Sequence, residues 1–509
     1  MARSMPIRSW LLGLLLVLGC EAAAQAVCDV DDKVRLLHFN DLHGQLAPLS
    51  SPGEDPPGGL ARLATLVSEA RSEVPGQRTL LLFAGDLLQG SLSSSLFMGH
   101  PDLVLLERIG VDAAVVGNHE FDFGQENFRA LAQASRFPFL SANLQAQPEP
   151  LPVRPSLVIR GSGGPTIAIL GLTTSELLTT THPRNTKGIQ VADPIEVARA
   201  LVPQLRARAD LVVVLSHLGL AADRRLAGAV EGIDVIVGGH DHHVLQPPVI
   251  ESGTLIVQGG SRGQWLGRLE IECAAGRLKP KDYRLIPVSA EVAEAPEIAA
   301  EVARVVAEAD RGMDEVIGDI AVDLSADRGL IRRGEAVFGD FVADLALTIT
   351  DADVALVNAG SFRASIPKGG VTLKQVYEAL PFGNELVVAE LSGQQIREAL
   401  ARSAALEPQD NPGGFLQVSG LSYVIAGNRL DAVTLSTGAL DPSERYRVVM
   451  PDFLASGGDG YAMLMSQEGR VSTGRRLADV VVAAIRAGSE IPDHPDGRIL
   501  RRTAASVGR

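Results

Sequence analysis

Apolar positions along the chain come in short bursts separated by amphipathic stretches. Residues 34–39, 79–83, 113–116, 166–170, 211–215 and 235–237 are apolar runs of strand length, the pattern of buried strands. Residues 59–72, 194–208 and 220–230 instead space their apolar residues as helices do. This alternation predicts a layered α/β domain that binds ligands at the carboxyl ends of its strands. Residues 288–315, rich in Ala, Glu and Val at helical spacing, predict a connecting helix and a domain boundary at about 290–316. Beyond it, strands (354–358, 387–391, 446–450) again alternate with helices (339–349, 393–401), so a second α/β domain is expected.

A length of 509 residues accommodates two such domains. With 46 basic and 61 acidic residues the net charge is −15, and no basic block stands out. That argues against a partner that is a nucleic acid polymer. At the N-terminus, Arg3 and Arg8 precede an apolar run from Trp10 to Gly19, followed by small residues: the pattern of a secretory signal. Two processing outcomes compete. Ala24-Gln25-Ala26 suits cleavage before Val27, giving a signal peptide of residues 1–26, and Val17-Leu18-Gly19-Cys20 resembles a lipobox that would anchor the chain through a lipid on Cys20. Either implies an exported protein of the periplasm or cell envelope. No later stretch reaches ~18 uninterrupted apolar residues, so no transmembrane helix is predicted. In an oxidising compartment Cys28 and Cys273 are either a disulfide or two free thiols, and spacing does not decide between them. Oligomeric state is not legible.

The chemistry lies where the predicted strands end. The first is followed by Asn40-Asp41-Leu42-His43-Gly44, the second by Gly85-Asp86, and the third by Gly117-Asn118-His119-Glu120-Phe121-Asp122. Later strands end in Ser216-His217 and Gly239-His240-Asp241-His242-His243. Residues two apart in extended backbone face one side, so Asp41 with His43, and His240 with His242, can converge. Histidine and carboxylate together are the usual ligands of Zn²⁺, Mn²⁺ and related ions. His38, inside the first strand, is read as a core residue, and no phosphate-binding P-loop is present.

The order D-x-H, G-D, G-N-H-E, a lone His and G-H-x-H resembles the calcineurin-like metallophosphoesterase superfamily. GNHEFDFG and GGHDHH resemble its 5′-nucleotidase branch, which includes bacterial UDP-sugar hydrolases. The resemblance covers residues ~33 to ~500. It implies a four-layer α/β/β/α domain over residues 27–290, a linker helix over 291–316 and a C-terminal α/β nucleotide-binding domain over 317–505. It also implies two divalent metal ions, zinc, manganese or another first-row metal. Asp41, His43, Asp86 and His242 would hold one, and Asp86, Asn118, His217 and His240 the other. Two cations ~3.5–4 Å apart can activate a bridging water and clamp an in-line phosphoryl displacement. His119 would stabilise the developing charge and protonate the leaving oxygen, with Asp122 keeping it protonated.

Three stretches of the second half resemble the family's nucleotide-binding domain: Asn358-Ala359-Gly360-Ser361-Phe362-Arg363, Gly414-Phe415-Leu416-Gln417 and Asp452-Phe453 through Gly458-Asp459-Gly460. Phe415 and Phe453 would stack on a nucleobase, Asp459 accept from ribose hydroxyls, and Arg363 fork onto phosphate, with Asn358 beside it. Of the nearby Arg328, Arg332 and Arg333, Arg332 is taken as the family's additional arginine. The expected activity is hydrolysis of nucleoside 5′-monophosphates to nucleoside and phosphate, with UDP-sugars or dinucleotides as further substrates. The alternatives are a 2′,3′-cyclic-nucleotide phosphodiesterase of the same fold and a non-enzymatic surface nucleotide-binding protein.

Overall fold

The computed structural model describes residues 28, 32–49, 56–160, 164–274, 276–408, 412–465 and 469–502. The signal segment and Cys20 lie outside them. The first half is built on two six-stranded sheets. In one, Lys33–Phe39, Arg78–Phe83, Ala113–Val115 and Phe139–Leu140 run parallel in that order. The hairpin Trp265–Ala274 and Arg277–Pro287 extends this sheet antiparallel beyond Lys33–Phe39. In the other, Ile167–Thr173, Leu211–His217, Val235–Val237 and Thr254–Val257 are parallel, and Ser156–Ile159 and Val249–Glu251 are antiparallel edges.

The two-residue period of a strand explains the layering. Along Lys33–Phe39, Val34 and Leu36 point into a core shared with Val213, Leu215 and Val235 of the second sheet. Leu37 and Phe39 point the other way, onto the helix Leu60–Ser72 through Leu60 and Leu63. The second sheet does the same: Val212 and Val214 face Ala198 and Val202 of the helix Pro194–Arg206. Both faces of both sheets are therefore covered, which is why these strands read as continuous apolar runs. The result is an α/β/β/α stack. Cys28 is joined to Cys273 by a disulfide with Cα atoms 5.9 Å apart, so the pairing left open by spacing is formed.

The connecting helix is shorter than its apolar pattern suggests, spanning Pro296–Ala309, and Pro296 at its first turn sets its start. Ile298, Val302 and Val305 enter the helix-side core of the first domain, so the helix packs back on that domain. The second half has its own core around a five-stranded sheet ordered Leu416–Ser419, Val354–Asn358, Arg445–Pro451, Glu385–Ser392 and Val471–Arg476. The helices Val337–Thr348 and Gly393–Ala405 cover it, and a smaller sheet ends in Ile499–Arg502. Among the described residues no helix is long and apolar enough to cross a membrane.

Candidate active site

The loops that follow the parallel strands meet on one side of the stacked sheets. They lock together through main-chain bonds: the Asp41 amide donates to Gly85 O (2.9 Å) and the His43 amide to Asp86 O (3.1 Å). Glu120 ties in the third loop, its carboxylate accepting from the amides of Gly117 (2.7 Å) and Leu87 (2.8 Å). Burial, and then the neighbouring Asp86 charge, push the pKa of Glu120 up to about 7. Packing is tight enough that a Cβ on Gly117 would stand 2.3 Å from Asp86 Oδ1. Asp41, His43, Asp86, His240 and His242 all hold positive φ, between 51° and 85°. For side-chain-bearing residues that conformation is strained, and such residues gather at functional sites.

The side chains so placed form three overlapping groups: Asp41, His43 and His242; His43, Asp86 and His119; and Asp86, His217 and His240. Neighbouring donor atoms are evenly spaced. His43 Nε2 lies 3.0 Å from His242 Nε2, and His242 Nε2 lies 3.3 Å from Asp41 Oδ1. His240 Nδ1 lies 3.1 Å from Asn118 Oδ1, and His217 Nε2 lies 3.2 Å from Asp86 Oδ2. Around a cation with bonds of about 2.0–2.2 Å, adjacent ligands stand roughly 2.9–3.5 Å apart, so these are the edges of coordination polyhedra. His217 Nε2 is buried and makes no hydrogen bond in spite of its proximity to Asp86. The donor set suits divalent metal ions.

The charge balance agrees. Burial, together with the charges of His119 and His242 on His43 and of Arg328 and Arg363 on His242, holds both imidazoles well below their usual pKa, neutral as ligands must be. Burial resists a charge on His217, yet Asp86 and Asp41 overcome it and push its pKa up to about 10. The carboxylates demand positive charge here, which divalent cations supply. The ring nitrogens away from the cluster are anchored: His43 Nδ1 lies 3.0 Å from Gln89 O and His217 Nδ1 2.7 Å from Ala84 O.

His119 stands beside the cluster. Its Nδ1 lies 2.5 Å from Asp122 Oδ2, and its Nε2 is 3.9 Å from Asp86 Oδ2. Burial opposes protonation, but Asp122 and then Asp86 outweigh it and raise the pKa. His38 is away from this site, buried and stacked on Tyr283. His182 reaches the second domain, 3.3 Å from Asp452.

Across a cavity of about 1570 Å³ the second domain contributes the opposite wall. Arg328, Arg332, Asn358, Arg363, Phe453 and Asp459 line it. The Phe382 ring stacks 6.3 Å from that of His119, and the Arg363 guanidinium lies 5.7 Å from the Phe382 ring. The arginines crowd one another. Burial and then Arg363 lower the pKa of Arg262 to about 10 and that of Arg328 to about 9, the signature of a site built for anions. Arg262 also donates to Arg363 O (2.9 Å), bridging the domains. Asn358 donates to Asp459 Oδ2 (2.9 Å), and burial raises the Asp459 pKa to about 6.

Phe415 departs from expectation. It is fully buried in the core of the second domain beneath the Arg501 guanidinium, 5.3 Å from the ring centroid, and does not line the cavity. It directly precedes the strand Leu416–Ser419, which pairs with Val354–Asn358 and draws the ring inward. Phe382, in Pro381-Phe382-Gly383, is the half-buried, cavity-lining aromatic that sequence reasoning missed; Pro and Gly around a lone ring are the signal that marks it. Glu176 and Arg328 line the cavity and Glu120 braces the loops behind it, and sequence reasoning assigned no role to any of them.

Residues 34–244 match the calcineurin-like phosphoesterase family and residues 316–466 the 5′-nucleotidase C-terminal domain. The chain is 30% identical to a 5′-nucleotidase of Vibrio cholerae over 95% of its own length and 96% of that protein's. It is also 30% identical to the trifunctional nucleotide phosphoesterase YfkN of Bacillus subtilis, of whose length it spans 34%. The crystal structure of a 5′-nucleotidase precursor from Thermus thermophilus superposes with a TM-score of 0.85 at 33% identity, covering 92% of this chain and 99% of that one. With the strand-end Asp/His clusters in one domain and the arginine-lined wall in the other, the chain belongs to the 5′-nucleotidase family of metal-dependent calcineurin-like phosphoesterases.

Proposed function

We propose that the protein hydrolyses nucleoside 5′-monophosphates to nucleoside and phosphate in an exported compartment. The observation that carries this reading is the facing of two unlike walls across one cavity: a metal-binding cluster on one side, and on the other three arginines with the Asn358–Asp459 pair and Phe453. Asp41, His43, Asp86 and His242 hold one cation, and Asp86, Asn118, His217 and His240 the other. When bound, the cations supply charge neutralisation at the phosphoryl group and activation of water. Arg328, Arg332 and Arg363 bind phosphate oxygens and fix the ester in line. Asp122 keeps the His119 Nδ1 proton in place and orients Nε2 toward the scissile phosphate, where it protonates the leaving 5′ oxygen. Asp459, oriented by Asn358, accepts from the vicinal ribose hydroxyls, and Phe453 covers the base.

The cavity exceeds the ~300–1,000 Å³ of ordinary ligand pockets, which supports longer substrates such as UDP-sugars or dinucleotides beside the monophosphates. Export rests on the N-terminal charge and apolar pattern and on the Cys28–Cys273 disulfide, which belongs to oxidising compartments.

Four measurements test this reading. Purified protein assayed on a nucleotide panel should lose activity with chelator and regain it with Mn²⁺ or Zn²⁺. Asp86→Ala should abolish both metal retention and hydrolysis, whereas His119→Ala should keep its metal and lose ~10²–10⁴ in kcat. A metal-depleted His119→Ala protein would make His119 a ligand instead. The two phenylalanines should separate cleanly. Phe453→Ala should cost ~5- to 150-fold in kcat/KM on AMP, the range of one stacking contact, and little on 4-nitrophenyl phosphate. Phe415→Ala should instead lower the melting temperature, as loss of a buried ring costs about 3–5 kcal/mol. Equal losses on both substrates for Phe453→Ala would refute the base contact. Mass spectrometry of protein from its native host should find either a chain beginning at Val27 or a diacylglycerol adduct on Cys20. An intact Met1 there would refute export.

A further inference from the structure

Glu176 belongs to none of the ligand groups, yet it touches one of their members. Its Oε2 lies 3.1 Å from His240 Nε2, while Nδ1 of the same ring lies 3.1 Å from Asn118 Oδ1. The fully buried histidines of the cluster are oriented differently. His43 and His217 each place Nδ1 against a main-chain carbonyl and offer Nε2 to the site. His240 is the reverse, with its inward atom Nδ1 and its outward partner a side chain.

A neutral imidazole carries one proton, and the nitrogen facing a carboxylate keeps it, leaving a lone pair on the other. We propose that Glu176 is a positioning residue that holds the His240 proton on Nε2 and so presents Nδ1 as the ligand to the cation shared with Asp86, Asn118 and His217. His240 needs such a partner. Its main chain has φ 85° and is held by Asp41, whose carboxylate accepts the His240 amide (3.0 Å), but its ring is only half buried. The His217 ring meets it edge-on with centroids 5.1 Å apart and leaves the outer nitrogen to Glu176. Glu176 comes from the segment after Ile167–Thr173, and the turn that follows it, Leu177–Thr180, packs on Gly458–Gly460 of the second domain. One cation is thus held entirely by the first domain's strand-end loops, and the other depends on a side chain at the domain boundary.

This inference rests on the two-cation reading, and titration of the apoprotein with Co²⁺, followed by its d–d absorption, separates the two. The wild type should take up two equivalents. Glu176→Ala should keep one at wild-type affinity and bind the second ~10- to 100-fold more weakly. Glu176→Gln, whose amide oxygen still accepts from Nε2–H, should recover most of that loss. Because the Glu176 side chain is 65% exposed, the apoprotein melting temperature should not move. Two wild-type affinities in Glu176→Ala, or Glu176→Gln as weak as Glu176→Ala, would overturn the inference while leaving two cations in place. A wild type that binds fewer than two equivalents would overturn both.

Discussion

Asp86 is the charge around which the rest of the molecule is arranged. It is 1% exposed, its Oδ2 lies within 4.0 Å of His43, His119 and His217, and its Oδ1 accepts the His119 amide at 3.0 Å. Burial alone would neutralise such a carboxyl, but the surrounding imidazoles hold its pKa well below the usual carboxylate range. An ionised group so deep requires compensation from every side, and four loops must close on it to provide that. Their anchors are the parallel strands below, whose two apolar faces leave the chain few other ways to pack. The sheets therefore serve the site by fixing where the loops begin.

Backbone geometry carries part of the cost of this convergence. Five side-chain-bearing residues at positive φ each store on the order of 1–3 kcal/mol. Glu120 shows how the strain is contained: it makes no ligand-like contact, but its carboxylate accepts amides from two loops that would otherwise separate. The second domain works by different means. It brings polar and cationic groups to the cavity and meets the first domain through the Arg262–Arg363 hydrogen bond, the Phe382 ring beside His119 and the packing of Leu177–Thr180 on Gly458–Gly460.

Much of the first domain could be read from the chain because its signals are local. A buried strand is a contiguous apolar run, and a ligand directly after it is two or three residues away in sequence, as with Asp41 or Asn118. What stayed hidden depends on contacts between distant residues. Phe415 and Phe382 both neighbour glycine, yet only packing against Arg501 and the adjoining strand distinguishes the buried ring from the one facing His119. Arg328 and Arg332 both line the cavity, whereas Arg333 turns its carbonyl to Arg501, a choice set by one helical turn. The Cys28–Cys273 bond spans 245 residues and could not be inferred from spacing. The helix Pro296–Ala309 reads as a connector by position, and only its buried Ile298, Val302 and Val305 assign it to the first domain.

That disulfide also sets how the molecule bears load. It joins the start of the first domain to the strand Trp265–Ala274, so the loops and strands of the metal cluster lie inside one covalent ring. The second domain hangs from the ring as a tail. Tension between the segment before Cys28 and the second domain passes from one sulfur to the other and enters the chain again after Cys273. The segment between the two cysteines is mechanically bypassed, and the metal cluster stays slack while the domain joint is pulled.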